Sequence, residues 1–361
     1  RKILKYIRLL KPTLKVGIFF LLVITIWKIF LPFYNFSRQN NFSKEFVESL
    51  IFNKKLPLKN YQGRTNVILL GIPGGNHDGT DLTDAILFLS IDYDKKDVVE
   101  ISVPRDIWSP TLKDKINTAY HYGEEKKNGG GLVLAKATVE EVVGQPVHYA
   151  WLLDFSGFKK LTDLVGGVDI FVENSFTDNF YPITGKEDDF CAGDPTFACR
   201  FEKLEFEKGL QHMDGEKALK YVRSRQAEGD EGTDFARGQR QQKVIAALKN
   251  KLLQPEFFRN NLSRIKELAA AYDDSTDTDM KLSEQILFLK SFIKLPNQNI
   301  RHLALDSGDP EKGRKGLLMN PPLWQYKGEW VLIPKKGEKN FEEIHKYISC
   351  NLDDPACTMK P

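Results

Sequence analysis

The chain has 361 residues and a formal net charge of +3. That length accommodates a sizeable core, in one large domain or two smaller ones. The near balance of charge excludes a chain-wide polycation and with it a general nucleic-acid binder, so any anion binding must be local.

The first residues carry Arg1, Lys2, Lys5, Arg8, Lys11 and Lys15 and no acid. From Leu14 to Phe33 the chain is apolar apart from Lys15 and Lys28, about the ~20 residues that span a bilayer. Lys28, near the far end, can snorkel outward. A basic near side predicts a cytoplasmic N-terminus and an exported remainder. A cleaved signal peptide is the rival reading, but Pro32, Phe33, Tyr34 and Phe36 stand where small residues would mark a cleavage site. The expected organisation is a cytoplasmic tail over 1–13, a single-pass transmembrane helix over 14–33 and a juxtamembrane stalk over 34–64. A main domain over 65–253 follows. Residues 254–361 form either an accessory layer or an extension of that domain.

The globular part opens with NVILLGI, a buried strand, and a Gly- and Asp-rich loop, PGGNHDGTDLTD. AILFLSID and DVVEISVP read as two further strands, the second ending in Pro104, Arg105 and Asp106. Leu132 to Val143 has helical periodicity, Val147 to Phe155 reads as a strand, and Phe158 to Leu164 as a short helix. VGGVDIFV is a turn into a strand, Asp178 to Lys203 a long irregular insertion, and HMDGEKALKY a helix capped by Asp214. After Pro255, helices are expected over Phe257–Tyr272, Ser283–Ile293 and Phe341–Ile348, and strands over Ile300–Leu305 and Trp330–Pro334. Alternating strands and helices predict an α/β fold, an α-β-α sandwich around a mixed central sheet. The four cysteines fall in two close pairs, Cys191 with Cys199 and Cys350 with Cys357. In an exported chain, two local bridges are the simplest of the possible pairings; a zinc site is the alternative.

The stretch from Tyr221 to Lys243, YVRSRQAEGDEGTDFARGQRQQK, stands out. Arg223 and Arg225 are two apart, which in an extended segment puts both on one face. Guanidinium is a planar fork that grips phosphate oxygens in pairs. Thr233 or Asp234 can cap the helix that follows, and Arg237 and Gln241 share a face of it at i and i+4. Arg237 and Arg240 lie near its positive end, where a cation is disfavoured unless an anion is bound. The competing reading is a solvated basic helix face. Acids and arginines together are the equipment of phosphoryl transfer. Asp84 opens a strand beside the Gly-rich loop, with Asp78 and Asp81 near it, and hard oxygen ligands of this kind suit Mg²⁺. For each acid a structural role competes: Asp84 as a strand opener, Asp234 as an N-cap. Arg105 is a phosphate ligand or half of an ion pair with Asp106. His77 is a metal ligand or a polar loop residue. No GxSxG, HExxH or Walker A pattern occurs.

In this order, NVILLGI, LTDAILFLSID, VEISVPRDIW, KINTAYHYG, LLDFSGF, LVGGVDIFV, GLQHMDGEKALKYVRSR and DFARGQRQQKVI resemble the LytR-CpsA-Psr family of bacterial cell-envelope enzymes. The likeness covers Asn66 to Leu253. It implies a membrane-anchored phosphotransferase that moves a glycopolymer from a polyprenyl-pyrophosphate carrier to peptidoglycan or another wall glycan, outside the cell membrane and with magnesium. Pyrophosphate hydrolysis or non-catalytic binding of an anionic envelope polymer are the alternatives; no nucleic acid is implied. By motif, Arg105, Arg223 and Arg225 match the pyrophosphate-binding arginines. Asp84 and Asp234 match the acids near the metal. Arg237 and Gln241 match the head-group face of the long helix, and Lys136 a further basic pocket residue. The catalytic residues expected are Arg105 and Asp234. There are two departures. Ile72 and Pro73 follow Gly71 where the family has an acid, and Leu82 replaces an arginine; metal binding then draws on Asp78 or His77. The family's prenyl tail lies in an apolar tunnel between sheet and helices, and Val67, Leu69, Ile86 and Phe88 either line such a tunnel or belong to the core.

Overall fold

The computed structural model describes residues 42–359 apart from positions 44, 47, 50–57, 76–78, 184, 187–188, 255–263, 297–298 and 309–314. The expected cytoplasmic tail and transmembrane helix, most of the stalk, His77 and Asp78 lie outside the described residues. Among the described residues, no helix is long and apolar enough to cross a membrane.

The chain divides into two compact units. One comprises residues 1–58 with Lys281–Lys290; within it Phe46, Leu287 and Phe288 are buried, and Lys290 Nζ donates to the carbonyl of Ser49. The other, Lys59–Met280 with Ser291–Pro361, holds the candidate site.

In that second unit the strands in chain order are β1 (Arg64–Ile72), β2 (Ala85–Asp92), β3 (Asp97–Ser102), β4 (Trp108–Ser109), β5 (Asp114–Lys115), β6 (Tyr149–Asp154) and β7 (Val168–Val172). They continue with β8 (Phe176–Pro182), β9 (Phe201–Phe206), β10 (Gly209–Met213), β11 (Thr276–Thr278), β12 (Ile300–Ala304), β13 (Leu318–Met319) and β14 (Ile333–Pro334). The helices are α1 (Ala119–Lys126), α2 (Gly131–Val143), α3 (Phe155–Leu164), α4 (Gly215–Arg223), α5 (Asp234–Leu253), α6 (Arg264–Ser275), α7 (Leu282–Lys294), whose residues up to Lys290 belong to the first unit, and α8 (Glu342–Asp353).

The main sheet is mixed, in the order β11-β6-β1-β2-β3-β12. β1, β2 and β3 form an antiparallel meander, while β6 joins β1 and β12 joins β3 in parallel. Side chains alternate across a strand, so the antiparallel register sorts the core. Ile68, Leu70, Ile86, Phe88, Val99 and Ile101 share one face and join α2 and α8 in the largest apolar cluster. On the other face Gly238 of α5 brings its backbone to Ser102 of β3; a Cβ there would stand 3.4 Å from the serine Cβ. Helices thus cover both faces. Register also corrects the expected tunnel. Val67 pairs with Leu89 and Leu69 with Leu87, whereas Ile86 and Phe88 pair with Leu70 and Ile68. Val67 and Leu69 therefore face one way, Ile86 and Phe88 the other, into the close-packed core. The four cannot line one channel.

A second apolar cluster lies under the arginine-rich stretch. It joins Val168, Ile170 and Val172 of β7, Phe176 and Tyr181 of β8, Leu204 and Phe206 of β9, and Tyr221 and Val244 of α4 and α5. α4 starts as expected, with Asp214 accepting from the Lys217 N–H at 2.8 Å. Its first residue is glycine for a steric reason: a Cβ on Gly215 would meet the Lys159 carbonyl oxygen of α3 at 2.2 Å.

Three features differ from expectation. The ends of the supposed irregular insertion form a hairpin, β8 with β9, in which Phe176, Asp178 and Tyr181 of β8 and Leu204 and Phe206 of β9 are buried, with a register irregularity between Asp178 and Tyr181. α3 starts at Phe155, three residues early, where Asp154 caps it through the Gly157 N–H. Residues beyond 253 continue the same sheet, since β11 and β12 are its edge strands and α8 packs into its core. Cys191–Cys199 and Cys350–Cys357 are both disulfides, which removes the zinc reading. The first closes the loop between β8 and β9.

Candidate active site

The meander brings strand ends together. β2 runs antiparallel to both neighbours, so its start lies beside the ends of β1 and β3. Asp84, just before β2, donates its N–H to the Gly71 carbonyl at 2.8 Å. Arg105, just after β3, reaches back and pairs its Nη1 with Asp84 Oδ1. Asn117 ties the two segments, donating its N–H to the Arg105 carbonyl at 3.3 Å and accepting from the Thr83 N–H at 3.0 Å.

Opposite this pair stands the end of α4. The sequence places Arg223 and Arg225 in an extended segment, but α4 runs through Arg223 and only then turns extended at Ser224 (φ −53°, ψ 129°). Lys220 and Arg223 in its last turn suit the negative end of the helix dipole. Both arginines still reach one cavity. Arg223 Nη2 lies 3.8 Å from Asp84 Oδ2, and Arg225 Nη2 donates to the Asp84 carbonyl at 3.4 Å. The Arg223 guanidinium sits 4.5 Å from the centre of the Phe155 ring and 5.6 Å from that of Tyr181, and Nη1 donates to the Tyr181 hydroxyl at 3.3 Å. Two aromatic faces therefore orient it by cation–π attraction.

The cavity holds about 280 Å³ and is lined by Asp84, Arg105, Phe155, Asp178, Tyr181, Arg223, Arg225, Arg237 and Gln241, among others. Four guanidinium groups thus face two carboxylates. Burial, then Arg237 and then Arg105 push the Arg225 guanidinium down to about 10, with Asp84 and Asp106 opposing. Desolvated like charges held together are the signature of a site shaped for an anion.

The remaining expected residues fall out as follows. Arg237 and Gln241 line the cavity from one face of α5, as the i and i+4 spacing implies. Thr233, not Asp234, is the N-cap, accepting from the Ala236 N–H at 3.1 Å; Asp234 is the first residue of the helix, and its side chain is outside the described residues, as is Asp78. Lys136 is a correction. It sits on α2, pairs with Asp279 and does not line the cavity, because α2 covers the core face of the sheet. Arg240 is the second correction. At 2% exposure it is turned inward, and its donors go to protein carbonyls rather than to the cavity. Sequence reasoning missed Phe155, Asp178 and Tyr181. Phe155 sits in the LLDFSGF motif, which did signal it; Asp178 and Tyr181 belong to the segment read as irregular.

Asp84 and Asp178 differ in what their oxygens do. Asp178 Oδ2 accepts from Ser224 Oγ and from the N–H groups of Arg225 and Gln226, and Oδ1 accepts from the Phe180 N–H. Those bonds leave Asp178 a structural acid. Among the described residues, the Asp84 carboxylate pairs with Arg105 and Arg223, which themselves line the cavity. It is therefore the described carboxylate that fits a hard cation beside phosphate oxygens.

A family model described as the LytR_cpsA_psr family matches residues 34–319. The chain belongs to the LytR-CpsA-Psr family. Among curated relatives it is similar to the polyisoprenyl-teichoic acid–peptidoglycan teichoic acid transferases TagV and TagT of Bacillus subtilis. Identity to TagV is 25% over 63% of this chain and 52% of TagV; to TagT it is 29% over 73% and 74%. The chain thus spans about half the length of TagV and about three quarters of TagT. Among solved structures, B. subtilis TagV superposes with a TM-score of 0.53 at 22% identity, covering 81% of this chain and 99% of that one. TagT bound to LI-WTA does so with 0.51 at 22%, covering 82% and 94%. The LytR-CpsA-Psr fold is shared; β8 contributes one wall of this chain's cavity through Asp178, Phe180, Tyr181 and Pro182.

Proposed function

We propose that this chain transfers a glycopolymer from a polyprenyl-pyrophosphate carrier to a cell-wall glycan, by phosphoryl transfer at the arginine-lined cavity. The observation that carries the reading is the convergence of Arg105, Arg223, Arg225 and Arg237 on one cavity, with Arg225 held charged among like charges. A diphosphate offers these arginines several oxygens that accept paired N–H bonds. The names of the teichoic acid transferases support the donor and the acceptor.

Such transfer is governed by positioning and charge neutralisation rather than by covalent catalysis. The arginines would grip the bridge between lipid and sugar. An acceptor hydroxyl attacks the sugar-proximal phosphorus, a new P–O bond forms, and the bond to the distal phosphate breaks, releasing polyprenyl phosphate. Arg105 and Arg223, joined through Asp84, would take up the charge that develops on the leaving phosphate. Bound magnesium would supply further neutralisation, with Asp84 as its carboxylate ligand and Asp234 at the helix start as a second candidate. With water as acceptor the same chemistry is hydrolysis. Residues 14–33 would anchor the protein in the cell membrane with the site outside, next to a lipid-borne donor.

The test is turnover of a prenyl pyrophosphate with magnesium by wild type and by Arg223→Ala. Loss of one charge-assisted contact of ~1.5–3 kcal/mol lowers turnover by roughly 10- to 150-fold. Equal turnover by both proteins would remove Arg223 from the site. Tight binding without any product would favour a non-catalytic binder.

A further inference from the structure

We propose that Arg240 is a positioning residue, half of a clamp completed by Asp178 that sets the aim of Arg223 and Arg225. The inference rests on the diphosphate reading of the cavity and adds the device that preorganises it.

The segment 221–226 carries two cavity arginines on a helix end and the residues after it, with little regular structure to hold it. It is gripped from two sides. Arg240 Nε donates to the Tyr221 carbonyl at 2.9 Å, Nη2 to the Ser224 carbonyl at 2.7 Å and Nη1 to the Glu231 carbonyl at 2.8 Å. One planar fork thus fixes the carbonyls on either side of Arg223, and Nη1 also meets Glu231 Oε2 at 3.0 Å. The guanidinium also lies over the Phe176 ring, 4.8 Å from its centre, a cation–π contact. Asp178 takes the opposite polarity. Its Oδ2 gathers Ser224 Oγ at 2.7 Å and the N–H groups of Arg225 and Gln226, each at 3.1 Å. Carbonyls are therefore held by a cation and N–H groups by an anion, and Ser224, fully buried, is bound by both.

Burying two charged groups in this way is costly unless every bond is made. Neither group is needed to close an apolar core; isosteric apolar residues would do that. What the clamp supplies is a fixed backbone from which Arg223 and Arg225 project, although Arg237 and Arg105 repel the Arg225 guanidinium. Held apart and aimed beforehand, they need not reorganise when a diphosphate arrives. Arg240 lies one turn from Arg237 on the same helix, so the clamp also fixes the cavity wall made by α5 relative to the end of α4.

The experiment is a double-mutant cycle on the full chain, reading affinity for inorganic pyrophosphate with magnesium by calorimetry, well below each variant's unfolding temperature. Arg240→Lys keeps the charge and loses the fork; we expect at least ~10-fold weaker binding. In an Arg225→Ala background the same change should cost less, about 3-fold, because one of the two groups it aims is gone. Methylguanidinium should restore part of the affinity of Arg240→Ala. If Arg240→Lys does not fold, Ser224→Ala, which removes one bond of the clamp, carries the same cycle. Equal, additive losses in both backgrounds, or wild-type affinity in a folded Arg240→Lys, overturn the clamp alone. A wild-type protein that binds no pyrophosphate overturns the diphosphate reading and the clamp with it.

Discussion

Arg225→Ala is expected to lower prenyl-pyrophosphate turnover about 100-fold while leaving the ligand-free protein as stable as wild type, or more so. The two effects have one cause. Burial and the neighbouring Arg237 and Arg105 hold the Arg225 guanidinium at about 10, well below its ordinary value. For a base, a lowered folded value means that the charged form is disfavoured in the fold. The cost is borne at every pH below about 10 and is roughly 3 kcal/mol before relaxation. Alanine removes the buried charge and its repulsion, losing the bond to the Asp84 carbonyl, the weaker attraction of Asp84 and Asp106 and some packing. A bound diphosphate reverses the balance, because the repelling guanidinium becomes a ligand. Thermal unfolding with and without pyrophosphate, beside turnover, checks both halves. A variant that is destabilised in the ligand-free form yet active would show that Arg225 is a structural residue.

Asp97→Ala is expected to destabilise the protein by about 3–5 kcal/mol, the cost of leaving buried charge unpaired. Asp97 Oδ2 accepts from Arg64 Nη2 at 3.0 Å and from Arg301 Nη2 at 2.8 Å, and Arg301 Nε adds a bond to Oδ1 at 3.0 Å. The same arginines reach into α8, Arg64 to the Leu352 carbonyl and Arg301 to that of Asn351. One carboxylate thus joins β1, β3, β12 and the last helix. Burial alone would raise the Asp97 carboxyl, but the hydrogen bonds from Arg301 and Arg64, with their charges, outweigh it and hold the group below its usual value. A depressed carboxyl contributes stability that is complete above the unfolded value and is lost as pH falls through the folded one. Wild type should therefore lose stability on acidification below about pH 4, and Asp97→Asn should lose less over that window. Chemical denaturation at pH 7 and pH 3 measures the difference. Parallel slopes for the two proteins would remove Asp97 from the acid response.

Local patterns were readable and long-range ones were not. NVILLGI and AILFLSID are apolar enough to declare strands, Asp214 declares a helix start, and adjacent cysteines declare their bridges. The i and i+4 spacing put Arg237 and Gln241 on one face, which the cavity uses. Arg223 and Arg225 read as one face of an extended segment, but a helix ending between them delivers both to the same cavity. Arg240 looked like its neighbours in composition. Only the fold decides that its side of α5 faces Tyr221 and Ser224 rather than the cavity. Lys136 failed for the same reason: α2 lies on the core face of the sheet. The tunnel expectation failed on parity, because it mixed odd positions of β1 with even positions of β2, which antiparallel pairing sends to opposite faces. Asp178 and Tyr181 became visible only when β8 paired with β9, a pairing across a disulfide-closed loop that no short window contains.

The most direct test is a crystal structure of the soluble domain with a short-chain prenyl pyrophosphate and magnesium. The account requires the diphosphate to lie among Arg105, Arg223, Arg225 and Arg237, with the cation against Asp84. Density for the diphosphate elsewhere on the protein, with the four guanidinium groups still facing an unfilled cavity, would contradict it.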